Sequence, residues 1–127
     1  MSFTLIDQSS ENFEFRANVW NWKAALEIIK SFDLVSEGKI RQMSYNATGV
    51  AISPEDANMI GQKIRETIIP KLQPGFRMFA NLSISESKDD GTIFKDEDEQ
   101  WKNYSVDAEW LNEFSDFCTK SKGFQIY

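Results

Sequence analysis

The chain contains no histidine and a single cysteine in 127 residues. Without histidine it lacks the commonest metal ligand and the usual general base near neutral pH. A lone cysteine excludes an internal disulfide and any zinc site built from several thiolates. No Gly-rich phosphate loop is present, and no cofactor is expected. No apolar run approaches the roughly 20 residues that span a bilayer. The segment Met1–Asp7 has neither the basic region nor the apolar core of a secretion signal, which makes the cytoplasm the expected compartment. Basic residues are outnumbered, 14 Lys and Arg against 20 Asp and Glu, for a net charge of −6. Nucleic-acid grooves and surfaces for anionic membranes need clustered Lys and Arg, so neither partner is expected. The charge suits plain solubility or a basic partner.

What is present is apolar and strongly aromatic. Hydrophobic residues make up 41% of the chain and aromatics 13%, including ten Phe and four Trp. Large rings let a small domain close its core with few side chains. The length fits one globular domain over residues 1–127.

The best-specified stretch is Tyr45–Leu72. Ser53 is placed to cap a helix, Pro54 falls at the first helical position, and Glu55 and Asp56 suit the positive end of the helix dipole. Ala57, Ile60, Gly61, Ile64, Ile68 and Leu72 then form one apolar stripe. Pro70 marks the last turn or a kink, and Pro74-Gly75 ends the element. Gly61 on the stripe predicts close approach of another element. A second helix follows Asn18, with Trp22, Ala25, Leu26, Ile29 and Phe32 on its stripe. A third is expected from Val106 to about Ser121, capped by Ser105, with Trp110, Leu111, Phe114, Phe117 and Cys118 facing inward.

Between the helices the signals are shorter. Phe3–Ile6, Phe13–Arg16 and Val50–Ile52 read as strands, Asn81–Ser85 as a weak one, and Phe124–Tyr127 as a last strand docked on the core. Ser36–Lys39 reads as a loop, and Ile40–Ser44 as strand or loop. Asp90-Gly91 is a turn signal, with Thr92–Phe94 as the returning strand of a hairpin. The fold expected is therefore α+β, dominated by three amphipathic helices at about 18–32, 54–72 and 106–121, with short edge strands.

No residue set carries a catalytic signature. Cys118 lies on an apolar face with no base to activate it, and reads as a buried, quiet thiol. Trp20 with Trp22, and Trp101 with Tyr104, have the composition of an aromatic cage, but packing explains them more simply. Glu86–Glu97 can be laid on a calcium loop, yet Lys88 takes a ligand position and Glu86 replaces the usual leading Asp. A run of carboxylates such as Asp96–Glu99 is a charged surface rather than an acid/base pair in contrasting environments.

That block is the candidate site. Glu86, Asp89, Asp90, Asp96, Glu97, Asp98 and Glu99 are opposed only by Lys88 and Lys95 between residues 86 and 100. Such charge density attracts a basic protein along its field. The preferred expectation is a small non-catalytic binding protein, for example an immunity- or antitoxin-like inhibitor of a basic partner. The alternative is a ligand-binding domain or enzyme that uses carboxylates or Arg in an aromatic-lined pocket.

One resemblance spans most of the chain. Trp20 and Trp22 open the first helix, Tyr45-Asn46-x-x-Gly49 leads into Asp56-Ala57, and Phe114-x-x-Phe117-Cys118 precedes Gly123-Phe124-x-Ile126. This layout resembles a group of small bacterial proteins with a Trp-rich first helix, a "DA" second helix and an "F-C-x-x-G-G-F-x-I" tail. The chain departs from that pattern at Asp33-Leu34, where the group has Gly-Trp, and at Lys122, where it has Gly. No activity is established for the group, so the resemblance implies a fold and no site.

Overall fold

A computed structural model describes residues 2–10, 12–45, 49–86 and 93–127. The fold is α+β, with helices packed on two antiparallel sheets. The larger sheet has four strands in the order β2-β1-β7-β3, namely Glu14–Asn18, Ser2–Asp7, Phe124–Ile126 and Ala51–Ile52. The smaller has three in the order β5-β4-β6, namely Ile84–Ser85, Arg77–Phe79 and Ser105–Asp107. No helix among the described residues is long and apolar enough to cross a membrane.

The first helix, α1 (Val19–Ser31), starts where Asn18 accepts a hydrogen bond from the Asn21 N–H at 2.9 Å. Its inner face buries Trp22, Ala25, Leu26 and Ile29 as the spacing predicts, while Phe32, the last of the expected stripe, caps the helix end and is half-buried. The expected loop at Ser36–Lys39 is instead the start of a second helix, α2 (Glu37–Met43), and Ile40–Ser44 is neither strand nor loop up to Met43. Ser36 caps it by accepting from the Lys39 N–H. So short a helix is weak alone. It is pinned by Met43, fully buried, whose carbonyl accepts from the Trp22 indole N–H at 2.8 Å.

The central helix, α3 (Pro54–Lys63), begins with the expected Ser53 cap on the Asp56 N–H and Pro54 in its first turn. It does not continue as regular α-helix to residue 72. Ile64–Ile68 widens into a π-turn, in which the Ile69 N–H reaches the Ile64 carbonyl, and Ile69–Lys71 tightens into a 3₁₀ turn. Pro70 explains the change of register: it has no N–H to give, and its ring excludes the carbonyl four residues back. Ile64, Ile68 and Leu72 remain buried all the same.

The last helix, α4 (Ala108–Lys120), starts two residues later than expected, and its cap is Asp107, not Ser105. Ser105–Asp107 is spent on β6, which pairs Val106 with Met78 and so buries both. Helices α3 and α4 pack tightly at Gly61. A Cβ there would lie 2.6 Å from Thr119 Cγ2 and 2.9 Å from the Ser115 carbonyl oxygen. The core between the helices is ring-rich, with Phe114 meeting Trp22, Phe15 and Trp110 at centroid distances of 5.2–5.8 Å.

The strands do more than line edges. The C-terminal β7 is an interior strand, paired antiparallel with β1 (Leu5 with Ile126) and with β3 (Ala51 with Gln125). The weak strand expected over Asn81–Ser85 is only Ile84–Ser85. Asn81–Ser83 is the turn before it, held by the Asn81 carboxamide oxygen accepting from the Ser83 N–H and hydroxyl. Of the hairpin expected around Asp90-Gly91, residues 90–92 lie outside the described residues. Ile93 and Phe94 are not in a strand. Phe94 is held instead by the Asn103 side chain, which accepts from its N–H at 2.7 Å and donates to its carbonyl at 2.9 Å.

Candidate functional site

The described part of the acidic block lies beside the three-stranded sheet, in the segment that follows β5 and the 3₁₀ segment packed on β4. Asp96 precedes a 3₁₀ segment, Glu97–Asn103, with Asp96, Glu97 and Asp98 exposed. Glu99 is half-buried and pairs with Lys102 at 3.1 Å. Glu86 is exposed directly after β5. Asp89 and Asp90 lie outside the described residues, as does half of the calcium-loop segment, residues 87–92. Among the described residues no cluster of three or more acidic or cysteine side chains is placed to hold a metal ion.

The 3₁₀ segment is seated by one ring. Trp101 packs edge-on to Phe79 of β4, with centroids 5.2 Å apart. On the same strand, the Arg77 guanidinium carbon lies 4.7 Å from the Phe79 ring centroid. Alternation along β4 turns Met78 to the core and leaves Arg77 and Phe79 on the opposite face. A continuous row, Trp101 to Phe79 to Arg77, thus leads from the acidic segment into an open cleft.

That cleft, of about 850 Å³, lies between the turn after α3, strands β4 and β6, and the first turns of α4. Its apolar surface includes Ile69, Phe76 and Ala108. Its charged groups are four carboxylates, Asp107, Glu109, Glu113 and Asp116, against the single guanidinium of Arg77. Three of these acids recur along one face of α4. Asp116 is ion-paired with Arg65, whose Nε also donates to the buried Ser115 hydroxyl at 3.1 Å. Glu109 and Glu113 are exposed, one helical turn apart, and have no ion-pair partner among the described residues. Like charges at that spacing repel.

The cleft lining also includes a serine. Ser105 is 7% exposed and lines the cleft together with Asp107, two residues on along β6. Its carbonyl accepts from the Asn21 carboxamide at 3.0 Å. Its hydroxyl makes no hydrogen bond with a described residue.

The aromatic pairs differ from those the spacing suggests. Trp22 is buried against Phe3 and Phe114. Trp20, 44% exposed, stacks on Tyr104 at 5.3 Å, and the Lys23 ammonium sits 4.4 Å from the Tyr104 ring. These contacts fasten α1 to the start of β6. Cys118 is fully buried, and that burial pushes its thiol well above the usual range, only partly offset by Arg65. A thiol so placed is not a nucleophile.

The cleft acids are absent from the sequence-based candidates, although a signal existed. Glu109, Glu113 and Asp116 recur at the spacing of one helical face, with no lysine on α4 before Lys120. Arg77 carried no local signal, since only strand pairing opposite Asp107 brings it to the site. Comparison with protein-family models, with curated proteins and with solved structures finds no match for this chain.

Proposed function

We propose that this protein is a non-catalytic binding module for a basic protein partner, of the kind found among immunity proteins and antitoxins. The observation that carries this reading is the presence of two groups of exposed acids, Asp96, Glu97 and Asp98 in the 3₁₀ segment and Glu109 and Glu113 on the cleft. Exposed acids of one sign raise association rates with a basic surface, and salt weakens the effect over a screening length of about 8 Å at physiological ionic strength.

A second reading, a small-ligand site, draws support from the volume of the cleft, which falls within the usual range for ligand sites. Against it, Glu109, Glu113 and Asp116 are all exposed, whereas acid/base chemistry needs carboxyls held in contrasting surroundings. The open, acid-rimmed shape suits an extended segment of another protein better than an enclosed small molecule.

The test uses basic proteins encoded beside the gene. Association is followed by surface plasmon resonance for the parent and for a variant carrying Asp96→Asn, Glu97→Gln, Asp98→Asn and Glu99→Gln. The on-rate should fall about tenfold and its salt dependence should flatten. An on-rate and salt slope equal to the parent's would reduce the block to a solubilising surface.

A further inference from the structure

We propose that the cleft is the docking groove for a lysine-bearing extended segment of that partner, an inference that rests on the binding reading above. A lysine is amphipathic, a methylene stem ending in a compact charge. The cleft presents both complements. Ile69, Phe76 and Ala108 offer apolar surface for the stem, and the exposed Glu109 and Glu113 of the same lining face the solvent for the ammonium. Two carboxylates one helical turn apart suit the three donors of an ammonium, which can bridge them, whereas the guanidinium fork of Arg matches a single carboxylate.

The pattern of satisfied and unsatisfied groups points the same way. Asp116 already has Arg65, and Asp107 is occupied in capping α4. Glu109 and Glu113 alone among the cleft acids lack a partner among the described residues. A bound cation removes their mutual repulsion. Ser105, a residue more than nine-tenths buried, lines the same cleft, and its hydroxyl, without a hydrogen bond to a described residue, supplies a donor and an acceptor for the main chain of the incoming segment. Asn112, exposed on the cleft wall, supplies a second amide group of the same use.

The probe is a capped tri-lysine peptide titrated into the full chain and followed by the backbone amide resonances. Shifts should map to residues 73–77 and 105–116. The double variant Glu109→Gln, Glu113→Gln should weaken binding about tenfold, while neutralising Asp96–Glu99 changes it by less than about threefold. Both glutamates are exposed and repel each other, so the double variant should melt no lower than the parent; if it melts lower, Ser105→Ala is read instead and should also weaken binding. Spermidine serves as the comparison for a free polyamine. Shifts confined to residues 96–99, parent-like binding by the glutamate double variant, or tighter binding of spermidine than of the peptide would each overturn the proposal. Failure here with a retained on-rate effect of Asp96–Glu99 leaves a basic partner that docks outside the cleft, whereas failure of both removes the binding reading itself.

Discussion

At the residue scale, two positions do more than their size suggests. Gly61 lets α3 and α4 approach until a Cβ would overlap Thr119 and the Ser115 carbonyl. Alanine is the better helix former by up to about 1 kcal/mol, but a backbone oxygen cannot swing away as a side chain can. Overpacking of this kind costs about 1–3 kcal/mol, so Gly61→Ala should lower stability in urea denaturation. A more stable variant would show that the two helices can separate without loss. Asp7, 4% exposed, ends β1 and collects the Ser9 N–H, the Ser9 hydroxyl, the Ser121 hydroxyl and the Lys122 N–H. Burial raises its pKa, but the hydrogen bonds from Ser9, Lys122 and Ser121 outweigh burial and hold the carboxyl below its ordinary value. A depressed folded pKa contributes stability that is fully present above the unfolded value, near 3.8, and is lost as pH falls through the folded value. The parent should therefore lose stability in that acid window, and Asp7→Asn should remove this part of the loss. At neutral pH the variant should already be weaker by about 1–3 kcal/mol, because its amide sets donors against donors. Equal acid slopes for the two proteins would place the titrating group elsewhere.

At the element scale, the C-terminal strand is the most exposed to test. Phe124 and Ile126 are fully buried, and β7 supplies the hydrogen-bonding edge for both β1 and β3. The ladder continues at Tyr127, which exchanges hydrogen bonds with Thr4 at 2.7 and 2.8 Å. Gly123 makes the entry into β7 possible, with φ of 88° and no room for a side chain beside Gln8 and the Ile52 carbonyl. Truncating a buried Phe or Ile costs about 2–5 kcal/mol each, against a total of about 5–15 kcal/mol for a domain of this kind. Deleting residues 124–127 should therefore abolish or nearly abolish the cooperative thermal transition seen by circular dichroism. A truncated chain melting like the parent would mean that the tail contributes nothing to the sheet. The π-turn is the converse case, an element with irregular hydrogen bonding that keeps its buried face. Pro70 shifts the register, and Ile64 and Ile68 still reach the core.

At the scale of the whole molecule, charge is unevenly spread. The net charge is −6, and exposed acids gather along the 3₁₀ segment and the cleft face of α4. Such self-repulsion opposes the compact state. Raising ionic strength from about 0.01 M to 0.15 M shortens the screening length from about 30 to 8 Å. The melting temperature should rise over that range, and the rise should shrink in the Glu109→Gln, Glu113→Gln variant. A melting temperature indifferent to salt would indicate that these acids are already compensated.

The helix starts at Asn18 and Ser53-Pro54, the apolar stripes and the close approach at Gly61 were all legible in the sequence, because capping and the 3.6-residue period are local properties. The acidic block at Asp96–Glu99 was legible for the same reason, whereas the acids on α4 stand out only once the fold sets them along the cleft. Pairing and register were not, since they depend on residues far apart in the chain. Ser105 and Val106 resemble a helix start, but the burial gained by setting Val106 against Met78 makes them a strand and passes the cap to Asp107. Glu37–Met43 is too short to show a helical period, and the Ser36 cap with the Trp22 indole on the Met43 carbonyl holds it as a helix. The cleft is of the same kind. It joins Asn21 to Ser105 and Arg77 to Asp107 across the fold, and no local pattern specifies which distant segments will share a wall.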